Sequence, residues 1–212
     1  MVKLIIVRHG FSEYNRDKKY TGQSDIPLTE MGVLQAKLAC DYLLANFKVD
    51  KIYSSDLSRA VDTAKPLAEK LGLEIITDAR LRELDTGLWT DKTFEEVRNS
   101  FPQTSKLYRE NIGRGRPDGG ESYQELMMRA KNVFEEIANE NEGKTIAVFT
   151  HGGVLRALYC AWNNISLDEV KNAKRFSNAS TTVVEYENGK ANYTLLDNTS
   201  YLDGLITEWI YP

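Results

Sequence analysis

Both histidines of this chain occur in the same sequence context, which suggests a shared role. His9 and His151 each follow a short apolar run, and each is followed directly by glycine. The carboxyl ends of parallel strands meet at one edge of a sheet, so two such runs can bring both imidazoles into one crevice. A neutral imidazole is a good nucleophile, and its ordinary pKa near ~6.5 suits chemistry at physiological pH. The pattern indicates a crevice in which imidazole chemistry takes place.

Two arginines accompany the histidines and indicate what the crevice binds. Arg8 directly precedes His9, and Arg59 lies in the first turn of a predicted helix, off its apolar stripe. A guanidinium group donates paired, charge-assisted hydrogen bonds that match the oxygens of phosphate. The glycines after the histidines allow close backbone approach, and a helix N-terminus there offers free N–H groups to an anion. The set therefore predicts a phosphate-ester site.

The elements that must position these groups follow from the apolar patterns. Buried strands are predicted at residues 4–7, 50–54, 74–77 and 144–150. Between them lie apolar stripes with helical spacing, formed by Met31, Leu34, Leu38 and Tyr42, then by Leu57, Val61, Ala64, Ala68 and Leu71, and then by Leu126, Ala130, Val133 and Ile137. Strands that alternate with helices form βαβ units. We predict a three-layer α/β/α fold with a mostly parallel central sheet.

The remaining segments predict an antiparallel edge and one insertion. Residues 181–187 and 192–196 flank Asn188-Gly189, a strong hairpin signal, so an antiparallel edge strand should close the sheet. No repeat or linker divides the chain, and residues 1–212 are predicted to form a single domain. An inserted loop or helical region at about residues 90–121 is expected near the ligand site.

Composition and charge limit the classes of partner. The chain has 212 residues, 42% of them hydrophobic and 27% charged, with a net charge of -4, which is typical of an ordinary globular protein. No broad basic field is available for nucleic acid, and no apolar stretch of ~18 residues is available for a membrane span. With no signal-peptide pattern, we expect a cytoplasmic protein.

Two histidines and two distant cysteines predict no metal site. The oligomeric state is open, and a homodimer is one option.

Six motifs in a fixed order carry a family resemblance. They occupy residues 4–15, 21–32, 54–64, 81–83, 119–122 and 150–153. Together they resemble the signatures of the histidine phosphatase superfamily, also called phosphoglycerate mutase-like. The resemblance implies that His9 is the nucleophile and Glu83 the proton donor and acceptor. It also implies a phosphate and substrate pocket formed by Arg8, Arg59 and His151 and lined by Ser12, Asn15, Gly22 and Gly152.

The resemblance implies an enzyme, and three functions are weighed. The favoured one is a metal-independent phosphatase that hydrolyses small phosphorylated metabolites through a phosphohistidine on His9, without a cofactor. A phosphoglycerate mutase primed by 2,3-bisphosphoglycerate is the first alternative, although the run from Trp89 to Arg109 is short and lacks an adjacent arginine pair. A non-catalytic module that binds phosphorylated ligands is the second. It is disfavoured because the nucleophile and the acid are both present.

Two departures from the family pattern leave the substrate open. Phe11 stands where many relatives carry glutamate or glutamine, and residues 87–92 differ from the Trp-Glu-Gly pattern often found after the acid. Both changes concern the rim of the predicted pocket rather than its catalytic groups. We also hypothesise that Arg114 and Arg116 select a second anionic group on the substrate.

Overall fold

The computed structural model describes residues 1–207 and contains a mixed six-stranded sheet. The strands are β1 (Val2–Arg8), β2 (Lys51–Ser54), β3 (Ile75–Thr77), β4 (Thr145–Thr150), β5 (Thr181–Glu187) and β6 (Lys190–Asn198). Their order is β3-β2-β4-β1-β5-β6. Strands β3, β2, β4 and β1 run parallel to one another, whereas β5 runs antiparallel to both of its neighbours, β1 and β6. The predicted α/β class and the antiparallel edge are confirmed.

Helices cover both faces of this sheet. They are α1 (Glu13–Arg16), α2 (Glu30–Asn46), α3 (Ser58–Leu71), α4 (Phe94–Ser100), α5 (Pro102–Glu110), α6 (Tyr123–Glu140) and α7 (Gly152–Trp162). Alternate side chains of β1 enter two different apolar clusters, as expected when successive strand residues point to opposite faces. Leu4 and Ile6 join the cluster of α6 and α7, while Ile5 and Val7 join that of α2 and α3. The result is a three-layer arrangement.

The predicted apolar stripe of α2 is not the buried face of this helix, although its last member, Tyr42, packs against the core. Leu34 is 46% exposed, and the helix instead buries Gly32, Gln35, Ala36, Ala39, Cys40 and Leu43. Small side chains on this face allow α2 to approach the sheet closely. A Cβ on Gly32 would lie 2.2 Å from the Phe11 carbonyl oxygen, so the first turn of α2 packs directly on the loop that follows His9. In α3 the predicted stripe is confirmed at Leu57, Ala64 and Ala68, which are buried. It is wrong at Leu71, which is 36% exposed, and it omits the buried Leu67.

Other local predictions are confirmed. The predicted stripe of α6 is buried along its length. This helix begins with a capping box in which the Ser122 and Glu125 side chains each bond the other's backbone N–H. Asn188 and Gly189 have φ values of 51° and 76°, as the two central residues of a type I′ hairpin turn require.

The region at residues 90–121 folds into α4 and α5 and contributes to the core. Val97 and Tyr108 are buried in the same cluster as α6 and α7, and so is Trp89, which directly precedes the region. The Trp89 indole N–H donates to Asp118 Oδ2 at 2.9 Å. The region is therefore a packed helical segment rather than a solvated loop.

Candidate active site

The sheet places the two histidines side by side. β1 and β4 are parallel neighbours with Arg8 opposite Thr150, so the residues that follow them in sequence lie at the same sheet edge. The His9 N–H donates to the Thr150 carbonyl at 2.9 Å, and the imidazole centroids of His9 and His151 are 5.1 Å apart. Both residues are buried. The juxtaposition predicted from the sequence is present.

Contacts around His9 define which ring nitrogen can react. His9 Nδ1 lies 2.7 Å from the Gly10 carbonyl oxygen. A carbonyl only accepts hydrogen bonds, so Nδ1 carries the proton and Nε2 keeps a lone pair. The loop itself is fixed from two sides: the Gly10 N–H donates to Thr63 Oγ1 at 3.0 Å, and Asn178 Nδ2 donates to the His9 carbonyl at 3.1 Å. The ring is held in a form suited to nucleophilic attack.

The electrostatic surroundings keep both imidazoles neutral. Burial, followed by the charges of Arg59 and Arg8, holds the pKa of His9 well below its ordinary value. Burial also lowers the pKa of His151, with Arg59 as the largest charge contribution. Desolvation and nearby cations both disfavour a second positive charge. A neutral His9 is the form that can accept a phosphoryl group.

Lowering the pH from about 7.5 to about 5.5 should destabilise the wild type more than a variant without these histidines. Because the pKa of each is lowered by folding, the unfolded chain binds protons below pH ~6.5 while the folded chain does not. The contribution of the two neutral histidines to the free energy of unfolding is thus fully present above pH ~6.5 and is lost as the pH falls below that value. Each histidine adds a slope approaching about 1.4 kcal/mol per pH unit to the free energy of unfolding.

This prediction is checked by urea denaturation at a series of pH values. The comparison is between the wild type and the double variant His9→Asn/His151→Asn, because carboxylates that titrate in the same range are common to both. Equal pH slopes in the two proteins would contradict the buried neutral state.

Arg8 and Arg59 are fixed by backbone carbonyl groups. Arg8 Nη1 donates to the Phe176 carbonyl at 2.6 Å. Arg59 Nη1 and Nη2 donate to the carbonyls of Ser24, at 2.7 Å, and Gly22, at 3.1 Å. Carbonyl groups carry no formal charge, so these contacts orient the guanidinium groups without neutralising them. Both cations act on His9 and His151, which places positive potential where a phosphate would be held.

His151 has one nitrogen engaged and one without a partner. Its Nε2 lies 2.8 Å from Ser55 Oγ, and that oxygen also accepts from the Leu57 N–H at 3.3 Å. Ser55 can therefore donate its own hydrogen to Nε2, which leaves the proton of the ring on Nδ1. The buried Nδ1 has no hydrogen-bond partner among the residues described. A phosphate oxygen beside the two rings would provide one.

Glu83 is positioned by the N-terminus of α7. Its Oε2 accepts from the Gly153 N–H at 3.1 Å, and its Oε1 accepts from the Leu84 N–H at 2.8 Å. Its carbonyl accepts from Gln23 and from Arg129, each at 3.3 Å. The carboxyl group lines a cleft together with Gly22 and Gly153. It stands where it can exchange a proton with a bound ester.

Replacing Gly153 by alanine should reduce turnover by about 100-fold while the fold stays intact. A Cβ at this position would lie 2.1 Å from Glu83 Oε1 and would displace the carboxyl group. The backbone is helical there, where alanine is the better residue by up to about 1 kcal/mol. Steady-state kinetics measure the loss, and a thermal melt is the control. Wild-type turnover in a folded Gly153→Ala protein would show that the observed Glu83 position is not required.

The other predicted pocket residues lie close to these groups. Ser12 and Asn15 are buried and form the capping box of α1, and Asn178 Nδ2 also donates to Asn15 Oδ1 at 3.1 Å. Gly22 receives the Arg59 contact, and Gly152 is the first residue of α7, directly after His151. The structure brings the predicted set together. Direct phosphate contacts by these four residues stay predictions.

Sequence reasoning missed several residues that hold the site. Thr63 lies one turn after Arg59, donates to its carbonyl at 2.7 Å and accepts from Gly10; its place in the motif at residues 54–64 was the available signal. Gln35 accepts from the Phe11 N–H at 2.7 Å. For Asn178, far along the chain from His9, no sequence signal was available.

The structure gives no support for anion selection by Arg114 and Arg116. Arg114 forms an exposed ion pair with Asp168 at 2.9 Å, and Arg116 pairs with Glu125 at 3.3 Å. Neither arginine lines the cleft beside Glu83. Their contacts favour a role in holding surface segments together.

Two features are absent from residues 1–207. Over this range no three or more histidine, cysteine, aspartate or glutamate side chains cluster in a way that could hold a metal ion. None of the helices in this range is long and apolar enough to cross a membrane. The cytoplasmic location expected from the sequence stays a prediction.

The chain belongs to the histidine phosphatase superfamily (branch 1), whose family model matches residues 4–199. It is 35% identical over 208 residues to phosphoserine phosphatase 1 of Hydrogenobacter thermophilus, covering 98% of both chains. It is 31% identical over 192 residues to the metal-independent phosphoserine phosphatase of Arabidopsis thaliana, covering 90% of this chain and 79% of that protein.

A solved structure shares the fold closely. Bacillus stearothermophilus YhfR superposes with a TM-score of 0.90 at 29% identity, covering 95% of this chain and 100% of that one. The family resemblance inferred from the ordered motifs is confirmed.

Proposed function

We propose that this chain is a metal-independent phosphomonoesterase that acts on small phosphorylated metabolites through a phosphohistidine on His9. The observation that carries the proposal is the state of His9. Its pKa is lowered by burial and by Arg59 and Arg8, and its Nδ1 is bound to the Gly10 carbonyl. The unprotonated Nε2 is then available as a nucleophile next to two fixed cations.

In the first step, His9 Nε2 attacks phosphorus and the bond from phosphorus to the ester oxygen breaks. Glu83 gives its proton to the leaving oxygen, so an alcohol departs. Arg8, Arg59 and His151 stabilise the charge on the equatorial oxygens, which is the main electrostatic demand of phosphoryl transfer. In the second step, the oxygen of a water molecule attacks the phosphorus of the phosphohistidine while Glu83 takes a proton from that water. The bond from phosphorus to His9 Nε2 breaks, its electron pair returns to Nε2, and inorganic phosphate is released.

The relatives support the phosphatase assignment. Two of them are phosphoserine phosphatases by name, and the Arabidopsis thaliana protein is described as metal-independent. The donor set supports the same chemistry, since the charge stabilisation that a metal often supplies in phosphoryl transfer falls here to buried arginines.

The experiment is a phosphate-release assay in the presence of EDTA. The panel contains sugar phosphates, phosphoglycerates and an aryl phosphate, and a coupled assay of phosphoglycerate interconversion primed with 2,3-bisphosphoglycerate runs beside it. Metal-free phosphate release is the expected result. Rapid interconversion with negligible release would replace the proposal with a mutase, and no activity in either assay would favour a module that only binds phosphorylated ligands.

A further inference from the structure

The cleft beside Glu83 lies where the alcohol part of a substrate would enter. The space that the centres of water molecules can occupy in it measures about 60 Å³, and the cleft opens to solvent. Most of its wall is apolar or aromatic and is formed by Tyr20, Leu84, Tyr108 and Ile112. Glu83 and Gly22 belong to the same lining, so the cleft adjoins the phosphate-binding groups. A leaving group protonated by Glu83 would occupy it.

Arg156 places a buried positive charge in this mostly apolar lining. The side chain extends from α7, and the residue is 2% exposed. Its Nη2 donates to the carbonyls of Val170 and, at 2.9 Å, Lys171. Within residues 1–207 no carboxylate lies within ion-pair distance of it, and its buried Nε has no hydrogen-bond partner. Both the charge and the Nε–H group are costly to bury in this state.

Tyr123 supplies a second unused donor in the same cleft. It is the first residue of α6, it is 2% exposed, and its buried hydroxyl has no partner among the described residues. Burial raises the pKa of Tyr123 well above its ordinary value, so the phenol keeps its proton. Arg156 and Glu83 both exert a charge effect on Tyr123, which places this hydroxyl close to both the buried cation and the catalytic acid.

Arg175 is a second arginine near Arg156. Burial, and then the charge of Arg156, lower the pKa of Arg175, so these two cations lie close enough to repel each other.

We propose that Arg156 and Tyr123 bind a carboxylate on the leaving group of the substrate. This inference rests on the proposed phosphatase function and narrows its substrates to phosphomonoesters of small hydroxy acids. Arg156 offers one free N–H group and a positive charge, and Tyr123 offers one O–H group. A carboxylate, with one negative charge and two oxygens that accept hydrogen bonds, matches these two donors. A second phosphoryl group brings three oxygens and a larger charge, which these two donors would leave partly unsatisfied. The apolar wall suits the carbon skeleton between the two anionic ends.

The test compares substrates that differ in the carboxylate. The pairs are 3-phosphoglycerate with glycerol 3-phosphate, and phosphoserine with phosphoethanolamine. In the wild type, kcat/KM should favour the carboxylate-bearing member of each pair by about tenfold or more, the effect expected from hydrogen bonds to a charged group. The Tyr123→Phe variant should lower this preference by about tenfold. It removes only a hydroxyl group that makes no hydrogen bond, so no loss of folding is expected.

A second variant and a control make the outcome decisive. Arg156→Gln should reduce the same preference, while Arg114→Gln changes an exposed arginine outside the cleft and should leave it unchanged. Equal kcat/KM within both pairs in the wild type, or unchanged preference in both cleft variants, would overturn the inference. A higher kcat/KM for fructose 1,6-bisphosphate than for 3-phosphoglycerate would overturn the carboxylate assignment.

The same assays distinguish failure of the proposed phosphatase function from failure of the carboxylate subsite. If no ester releases phosphate, including the aryl phosphate, the phosphatase proposal fails. Calorimetric titration of the intact protein with 3-phosphoglycerate and with glycerol 3-phosphate still tests the subsite. Tighter binding of 3-phosphoglycerate that is lost in Tyr123→Phe supports the carboxylate site, and equal binding refutes it.

Discussion

Replacing His9 by asparagine should abolish phosphate release and should prevent labelling of the protein by a radioactive phosphate ester. We expect turnover to fall on the order of 10⁴-fold or more, as when a covalent nucleophile is removed. The reason is that the Nε2 atoms of the two imidazole rings have different hydrogen-bond partners. His9 presents an unprotonated Nε2, whereas Nε2 of His151 is engaged by Ser55. The neighbouring imidazole is therefore not placed to take over the attack.

The matched control is His151→Asn, which makes the same chemical change in the ring 5.1 Å away. This variant should label slowly and turn over weakly, since it loses a phosphate contact and keeps the nucleophile. Rapid quenching followed by gel autoradiography measures the labelling, with acid lability identifying a phosphohistidine. Equal labelling of the wild type and His9→Asn would refute the assignment of the nucleophile.

Replacing Glu83 by glutamine should lower hydrolysis of alkyl phosphates by about 10²- to 10⁴-fold, the usual contribution of a positioned acid or base. Glutamine has nearly the same shape, but its amide group cannot donate a proton to an alkoxide. It can also accept only one of the two backbone N–H groups, of Leu84 and Gly153, that hold the carboxyl group. Both the proton and its position are affected.

The choice of leaving group separates the two roles of Glu83. A nitrophenolate leaves without protonation, so the variant should still release it in a first, rapid burst with nitrophenyl phosphate. Attack of water then lacks its base, and the phosphohistidine should accumulate. Glu136→Gln, which alters an exposed glutamate paired with Arg80, is the control. A uniform loss for alkyl and aryl esters, without a burst, would argue that Glu83 has only a structural role.

Local patterns were sufficient to predict which side chains meet at the candidate site. Each histidine ends an apolar run that forms a buried strand, and the parallel register of those strands then determines that the rings meet. Arg59 was predicted for a similar reason, because a charged residue at the start of a helix and beside a strand end faces the same crevice. For these residues, the local sequence pattern alone shows at which edge of the sheet the side chain lies.

The buried face of α2 could not be predicted from apolar spacing. Leucines mark one side of this helix, but the packed side carries small residues and Gln35. That amide is fully used, since it accepts from Phe11 and donates to the Leu205 carbonyl at 2.8 Å. A polar side chain becomes a core residue when its partners are backbone groups of distant loops, and periodicity carries no information about such partners.

The same limit applies to the residues that hold the site. Asn178 donates to the carbonyls of both His9 and Gly10, and Ser55 Oγ lies 2.8 Å from Nε2 of His151. Neither has a pattern of its own in the sequence, because its function depends on a contact across the sheet edge. The carboxylate subsite at Arg156 and Tyr123 became visible only through burial and missing partners.

The position of β1 has a consequence for biosynthesis. Among the strands described, β1 comes first along the chain, but it is flanked in the finished sheet by β4 and β5. Lys3 can therefore pair only after Thr145 has been synthesised, and Val2 only after Tyr186. Pairing over such chain distances is slow, because the entropy of closing the loop must be overcome first. Until then an apolar strand with two open edges is exposed on the nascent chain, where it is prone to aggregate. The strand that directly precedes His9 is thus the described strand that waits longest for a pairing partner during translation.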